Sequence, residues 1–289
     1  MTYNKVLLLL TDGAASMLKA GLALQTLYPR MIHVTCLAHA LHRVAEEVRT
    51  NYRDLDRFIA AIKAIFTKSP SRIRAFHEFN PKISLPPEPI ITRWGTWISA
   101  VSYYNDHIDS IQPLIGAFDP DDAASIGDAI EMFSSPALRP QIAAVHANYG
   151  VIPGMITELE TEGLPLARSL QILRTITEFL DAADGVISRR IAKKLHGTLS
   201  KHPGLESLTS ISAVLLEDNT SVADKFVSKL PPNVLAAFKF APVTSVEVER
   251  RFSRYRFMLS ERRRRLTFEH LSKMFLVLCN TSIDPEALD

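Results

Sequence analysis

Cysteine is scarce in this chain of 289 residues, which has only Cys36 and Cys279. Two cysteines so far apart in sequence do not form the disulfide framework of a small secreted domain, so we expect a reducing compartment. Long apolar runs are missing as well. The run from Val6 to Leu10 is far shorter than the roughly 20 residues of a membrane span, and no signal-peptide pattern accompanies it. We therefore expect neither a membrane protein nor a secreted one.

A large net charge is also absent, since the chain sums to +2 at pH 7. An evenly spread charge of that size would argue against a nucleic-acid partner. The segment 250–265 nevertheless carries +7, which leaves −5 for the rest of the chain. Its arginines are Arg250, Arg251, Arg254, Arg256, Arg262, Arg263, Arg264 and Arg265. Such a cluster is usually a solvated face, and phosphate binding is the alternative.

The first 40 residues have the pattern of a strand, a helix and a second strand. Lys5 to Asp12 contains an unbroken apolar run and ends in a polar turn, which predicts a strand. Ala14 to Leu27 has a helical composition, and Met31 to Cys36 is rich in β-formers. Such a unit predicts a parallel sheet with a right-handed crossover. Binding or catalytic groups then lie at the carboxyl ends of the strands, where Asp12 and Cys36 fall.

After Ala38 the strand signals nearly vanish and amphipathic helical segments follow one another. The predicted helices lie near 38–67, 70–78, 93–117, 121–133, 137–148, 165–183, 185–199, 221–228 and 231–240. Four prolines within residues 79–89 predict a linker, because proline excludes a continuous helix.

Several residues near the predicted sheet are candidates for metal binding. Asp12 follows the apolar run directly and would hold a divalent cation well, although an aspartate before a helix is also a common N-cap. Cys36 and His39 have the spacing of half a zinc site, which His33 and His42 would have to complete. A buried thiol is the alternative for Cys36.

Both tryptophans lie beside an arginine after the proline-rich linker. Arg93 on a phosphate and Trp94 stacked on a base would suit nucleic-acid binding, whereas we expect Trp97 to pack in the core. Glu249 lies among arginines on a predicted helix from Thr244 to Leu259, where a surface ion pair is its local interpretation.

The predicted helix from Thr267 to Asn280 has a continuous apolar stripe. Its members, at helical spacing, are Leu271, Met274, Phe275 and Leu278. The stripe needs a partner surface, which is either the chain's own core or a second subunit.

Four blocks of sequence, in this order, resemble the hAT superfamily of DNA transposases. The first is Thr11-Asp-Gly-Ala-Ala-Ser-Met17 with Cys36-x-x-His39-x-Leu41, and the second is Thr92-Arg-Trp94. The third is Pro242-x-x-Ser245-x-x-x-Glu249-Arg-x-Phe-Ser253, and the fourth is Arg262-Arg-x-Arg-Leu266 with Leu278-x-Asn280. Each block alone is weakly specific, whereas four in sequence between residues 6 and 280 are specific.

The resemblance implies an α/β fold: a truncated RNase H-like core interrupted by a large all-α insertion, mostly helical by residue count. Residues 1–45 would be the first part of the core without its opening strands, and 46–92 a helical segment and linker. Residues 93–235 would be the all-helical insertion. Residues 236–289 would hold the closing helix of the core and the dimerisation region.

The resemblance also assigns site residues. Asp12 and Glu249 would be the second and last acids of an Asp-Asp-Glu triad that binds Mg²⁺ or Mn²⁺ for phosphoryl transfer, with Cys36 and His39 beside them. The implied DNA contacts are Arg93, Trp94, Arg250, Arg254, Arg262, Arg263, Arg264 and Arg265. The implied dimerisation residues are Phe252, Leu271, Met274, Phe275 and Leu278.

The chain departs from the family at its start, where only Met1 to Asn4 precede the first predicted strand. Compared with the family's pattern, we expect the first catalytic aspartate and the zinc-binding DNA-reading domain to be absent. We therefore expect at most weak Mg²⁺ binding at Asp12 and Glu249, and no catalysis by this chain alone.

The expected function is thus that of a transposase-derived protein that dimerises, or associates with related hAT proteins, and binds DNA non-specifically. A nuclear location follows from the resemblance, with the cytoplasm as the alternative. Two other interpretations stay open: an active transposase completed by an upstream segment, and a helical scaffold for protein interactions.

Overall fold

A computed structural model describes residues 5–90, 95–216, 227–246, 248–249, 251–252 and 267–280, the last range with side chains as far as residue 277. The described part of the chain is mostly helical and contains one small parallel sheet of two strands. Of the helices in these ranges, none combines the length and the apolar content that a membrane crossing requires.

The sheet confirms the strand, helix, strand pattern of the first 40 residues. Strand β1 (Leu8–Thr11) pairs in parallel with β2 (Ile32–Thr35), with Leu8 opposite Ile32 and Thr11 opposite Thr35, and helix α1 (Ala15–Leu27) connects them. Both strands are shorter than the apolar runs that predicted them, because pairing covers only the length that the two runs share.

The two strands differ in burial. In β2, all side chains but that of Thr35 are buried. In β1, all side chains are half-buried except that of Thr11, which is buried. The edge of β2 that faces away from β1 is covered by the segment around residues 202–204, where the His202 ring contacts the carbonyl of Thr35. Covering an edge in this way prevents it from pairing with another chain.

The helices that follow the sheet begin and end as follows. They are α2 (Leu37–Asn51), α3 (Arg53–Phe66), α4 (Pro70–Phe79), α5 (Thr96–Gly116), α6 (Ala124–Phe133), α7 (Leu138–Tyr149), α8 (Ile152–Leu159), α9 (Leu166–Ala182), α10 (Val186–Leu199), α11 (Leu205–Leu215), α12 (Pro232–Ala237) and α13 (Phe268–Asn280). Short 3₁₀ turns occur at Pro120–Asp122, Val227–Lys229 and Phe238–Phe240. Val246, Val248, Glu249, Arg251 and Phe252 are also helical.

Three differences from the predicted helices have local causes. The single helix predicted over 38–67 is interrupted at Tyr52, which is buried and leaves the helical conformation with φ −122° and ψ 58°. Helices α8 and α11 were not predicted, because Pro153-Gly154 and Pro203-Gly204 are typical of loops. Proline is in fact accepted in the first turn of a helix, and glycine just before one.

Most of the predicted helix 221–228 lies outside the described residues.

The core is one contiguous cluster of buried side chains that extends from Ile32 in the sheet to Val243. Phe58 of α3 packs edge-on against Tyr104 of α5 and Phe133 of α6, with ring centroids 5.1 and 5.2 Å apart. Trp97 is 5% exposed, so the expectation that it packs in the core is confirmed. Because sheet and helices share this core, the helices hold fixed positions around the carboxyl end of the sheet.

Candidate functional site

A cleft of about 370 Å³ opens at the carboxyl ends of the two strands. Asp12 and Gly13, which follow β1, form one side of its floor, and Thr35 and Cys36 form the other. The backbone N–H of Cys36 donates to the carbonyl of Thr11 at 2.7 Å, so the parallel pairing continues to the point where both chains turn away. This is the edge of a parallel sheet at which ligands are usually bound.

Asp12 is exposed in the cleft while it also supports the turn into α1. Its Oδ1 accepts a hydrogen bond from the backbone N–H of Ala14 at 2.9 Å. The Arg43 guanidinium of α2 donates to the backbone carbonyl of Asp12 at 3.5 Å. The N-cap interpretation of Asp12 is wrong, since Ala14 is the N-cap of α1. Asp12 supports the turn before the helix through one carboxylate oxygen, so a ligand role for the other oxygen is compatible with it.

Cys36 connects the sheet to the segment near Glu249. It precedes the first residue of α2, is 1% exposed, and its Sγ accepts a hydrogen bond from the backbone N–H of Ser245 at 3.2 Å. Burial of the Cys36 thiol opposes its ionisation, but hydrogen bonds with His39 and Ser245 together outweigh burial and lower its pKa. The backbone N–H of Leu37 also donates to the carbonyl of Val243 at 2.9 Å.

His39 lines the cleft with Asp12 and contacts Glu249. Its Nε2 is 3.7 Å from Oε1 of Glu249, and the hydroxyl of Ser245 donates to the same carboxylate oxygen at 2.8 Å. The pKa of His39 is raised, first by the hydrogen bond with Cys36 and then by the charges of Cys36, Glu249 and Asp12 in that order, against the effect of burial. Glu249 thus contacts a histidine from the opposite end of the chain.

The histidines that would complete a zinc site do not join this group. The buried His33 is hydrogen-bonded through Nε2 to the hydroxyl of Thr11 at 3.0 Å. Within the ranges that the structure describes, no three histidine, cysteine or acidic side chains surround a common ion position. Asp12 and Glu249 therefore offer two carboxylates near His39 but no complete set of metal ligands in those ranges.

One wall of the cleft is basic, and no sequence motif predicted it. Lys193 and Lys194 of α10, together with Lys201 just after that helix, line the cleft across from Arg43. Lys194 is 3.6 Å from the carboxylate of Glu47 on α2. The cations at 189, 190, 193 and 194 indicate a basic helix face, but only the tertiary fold places part of that face opposite Asp12.

The other predicted site residues are placed only in part. The predicted DNA contacts Arg93, Trp94, Arg250, Arg254, Arg262, Arg263, Arg264 and Arg265 lie outside the described residues.

The C-terminal apolar residues divide between the core and the surface. Leu271 is buried, Met274 and Phe275 are half-buried, and the side chain of Leu278 is outside the described part. Phe252 is exposed, as are Phe268, Leu276 and Val277 on the outward side of α13. The exposed apolar face is thus broader than the predicted stripe and partly distinct from it.

No protein-family model matches this chain, and no curated protein is significantly similar to it. The resemblance to hAT transposases therefore rests on the sequence blocks themselves.

Proposed function

We propose that this chain is a DNA-binding protein derived from an hAT-type transposase, with an RNase H-like core remnant that no longer catalyses strand transfer by itself. One observation carries the proposal. Asp12 and His39 line one cleft at the carboxyl edge of a parallel sheet, and Oε1 of Glu249, from the other end of the sequence, lies 3.7 Å from Nε2 of His39. Asp12 and Glu249 are the residues that the family's motifs assign to two of its three catalytic acids.

Two acids support weak cation binding but not the chemistry. Phosphoryl transfer at such sites uses two divalent cations, one to activate the attacking oxygen and one to stabilise the leaving oxygen, and carboxylates must bridge them. Asp12 and Glu249 supply two carboxylates, and within the described ranges no group of three or more histidine, cysteine or acidic side chains is placed to hold a metal ion. We therefore propose DNA binding without cleavage.

The charge distribution supports DNA as the ligand. The cleft itself carries more cationic than acidic side chains, and the arginine-rich segment 250–265 adds +7 in sequence directly after Glu249. Cations that neutralise phosphates release condensed counterions, so binding of this kind needs no base-reading domain. The exposed apolar side of α13 adds a surface for dimerisation or for association with related proteins, and a nuclear location would fit a DNA ligand.

The proposal is tested by fluorescence anisotropy with a labelled DNA duplex of mixed sequence. If about four phosphates are contacted, the affinity should fall roughly 100-fold between 50 and 200 mM salt. The same samples, incubated with Mg²⁺ or Mn²⁺, should leave the duplex uncut. Absence of binding at the lower salt concentration would refute the DNA-binding role, whereas cleavage that Asp12→Asn abolishes would show an active enzyme.

A further inference from the structure

The cleft beside Asp12 is lined by cations on both walls. Arg43 projects from α2, Lys193 and Lys194 from α10, and Lys201 from the turn that follows α10. All four side chains belong to exposed residues. In the described part of the chain, Asp12 is the one acidic residue that lines the same space. Like charges held across a narrow cleft raise the local potential, which favours an anionic ligand.

Ion pairs within the protein do not neutralise this wall. Lys194 alone of the three lysines has an acidic neighbour, Glu47 at 3.6 Å, among the described residues. The position of Lys201 could be explained by the negative end of the α10 dipole, because cations are stabilised near helix C-termini. It does not apply to Arg43, which belongs to α2 and donates to the backbone carbonyl of Asp12 at 3.5 Å.

The surface between the lysines is shaped for close approach of a ligand. Gly197 and Thr198 lie between Lys194 and Lys201 and also line the cleft, and the space next to Gly197 is open. Lys193 is six positions before Leu199, the last residue of α10, or ~9 Å along the helix, and Lys201 lies two residues beyond that end. One strand of a DNA duplex carries about three phosphates over that length. A row of phosphates therefore matches this wall better than a single anion does.

The floor of the cleft adds two helix N-termini to the cations. Helix α1 begins just after Asp12-Gly13-Ala14, and α2 begins just after Cys36, so both start at the carboxyl edge of the sheet. The N–H groups of a first helical turn and the positive end of its dipole favour phosphate oxygens. These two N-termini reinforce a site that the four side chains already define.

We infer that Lys193, Lys194 and Lys201 form a wall that binds the phosphodiester backbone of a nucleic-acid strand, with Arg43 holding it from the other side. The strand then passes Asp12 and His39, so the wall gives the inherited acids a defined position on the DNA. This inference rests on the proposed function and assigns to the cleft a part of the binding that the arginine-rich segment would otherwise supply alone.

The test compares two double variants by anisotropy over a series of salt concentrations. Lys193→Ala with Lys201→Ala removes two cleft cations, and Lys82→Ala with Lys229→Ala removes two exposed cations that do not line the cleft. The slope of log affinity against log salt should fall by about two for the cleft variant. It should stay at the wild-type value for the control variant, and circular dichroism should show the same fold in all three proteins.

The outcomes separate this inference from the proposed function. Wild-type binding with an unchanged slope in the cleft variant would overturn the lysine wall and leave DNA binding to other residues. Absence of wild-type binding would overturn the proposed function itself. Inorganic tripolyphosphate serves as a competitor: binding of tripolyphosphate but not of DNA would identify a small-phosphate site and contradict the inference.

Discussion

At the scale of single residues, one glycine decides how α1 rests on the sheet. Gly21 is the buried residue of α1, and a Cβ added to it would lie 2.1 Å from Nδ1 of His33. The other ring nitrogen of His33 bonds to Thr11, the last residue of β1. Glycine, histidine and threonine therefore fix the helix against the strand that carries Asp12 into the cleft.

We predict that Gly21→Ala destabilises the protein although alanine favours a helix. The helix propensity gained is about 1 kcal/mol, whereas overpacking against the His33 ring costs about 1–3 kcal/mol. The measurement is the free energy of unfolding in urea. Gly127→Ala in α6 is the matched control, because nothing lies within 4 Å of its added Cβ, and it should be neutral or stabilising. Equal stability of the two variants would contradict the packing described for α1.

At the scale of elements, the covered edge of β2 links the helical part of the chain to the sheet. His202 contacts the carbonyl of Thr35, and its Nδ1 lies 3.0 Å from the carbonyl of Pro203. Gly204 has φ +69°, and a side chain there would lie 2.4 Å from the His33 carbonyl. The segment after α10 is thus held against the sheet, and with it the basic wall of the cleft.

This contact predicts a stability that depends on pH. Burial lowers the pKa of His202 below its ordinary value of 6.5, against hydrogen bonds to the two carbonyls that raise it. The unfolded chain therefore takes up a proton where the folded chain does not, so this stability is present above pH 6.5 and is lost as the pH falls through the folded pKa.

We expect His202→Gln to flatten the loss of stability between about pH 7 and about pH 5, measured by urea unfolding at each pH. His33 and His42, whose pKa values burial also lowers, should still contribute a loss with the same sign in both proteins. An identical pH profile for wild type and variant would show that His202 is not held neutral at the sheet edge.

At the scale of the whole molecule, local patterns predicted less of the site than of the fold. The apolar runs before Asp12 and Cys36 predicted the parallel pair of strands correctly, because strand formation there depends on composition within a few residues. Nothing local indicated the break at Tyr52, since a buried side chain and not a proline or glycine ends α2.

The lysines of α10 show why the site was harder to predict. Their charge is visible in the sequence, but their position opposite Asp12 depends on how α9, α10 and the sheet pack together. The contact between His39 and Glu249 was expected from the resemblance alone, because periodicity and composition say nothing about contacts between the two ends of a chain.

We propose that Asp12 and Glu249 bind one cation beside His39, and paramagnetic broadening by Mn²⁺ tests this proposal most directly. Weakly bound Mn²⁺ should broaden the imidazole NMR signals of His39, assigned with a His39→Gln variant, before those of exposed histidines. Asp12→Asn and Glu249→Gln should each reduce the broadening, since both carboxylates contribute to the same cation site. Broadening that depends on only one of the two acids, or no selective broadening of His39, would contradict the account.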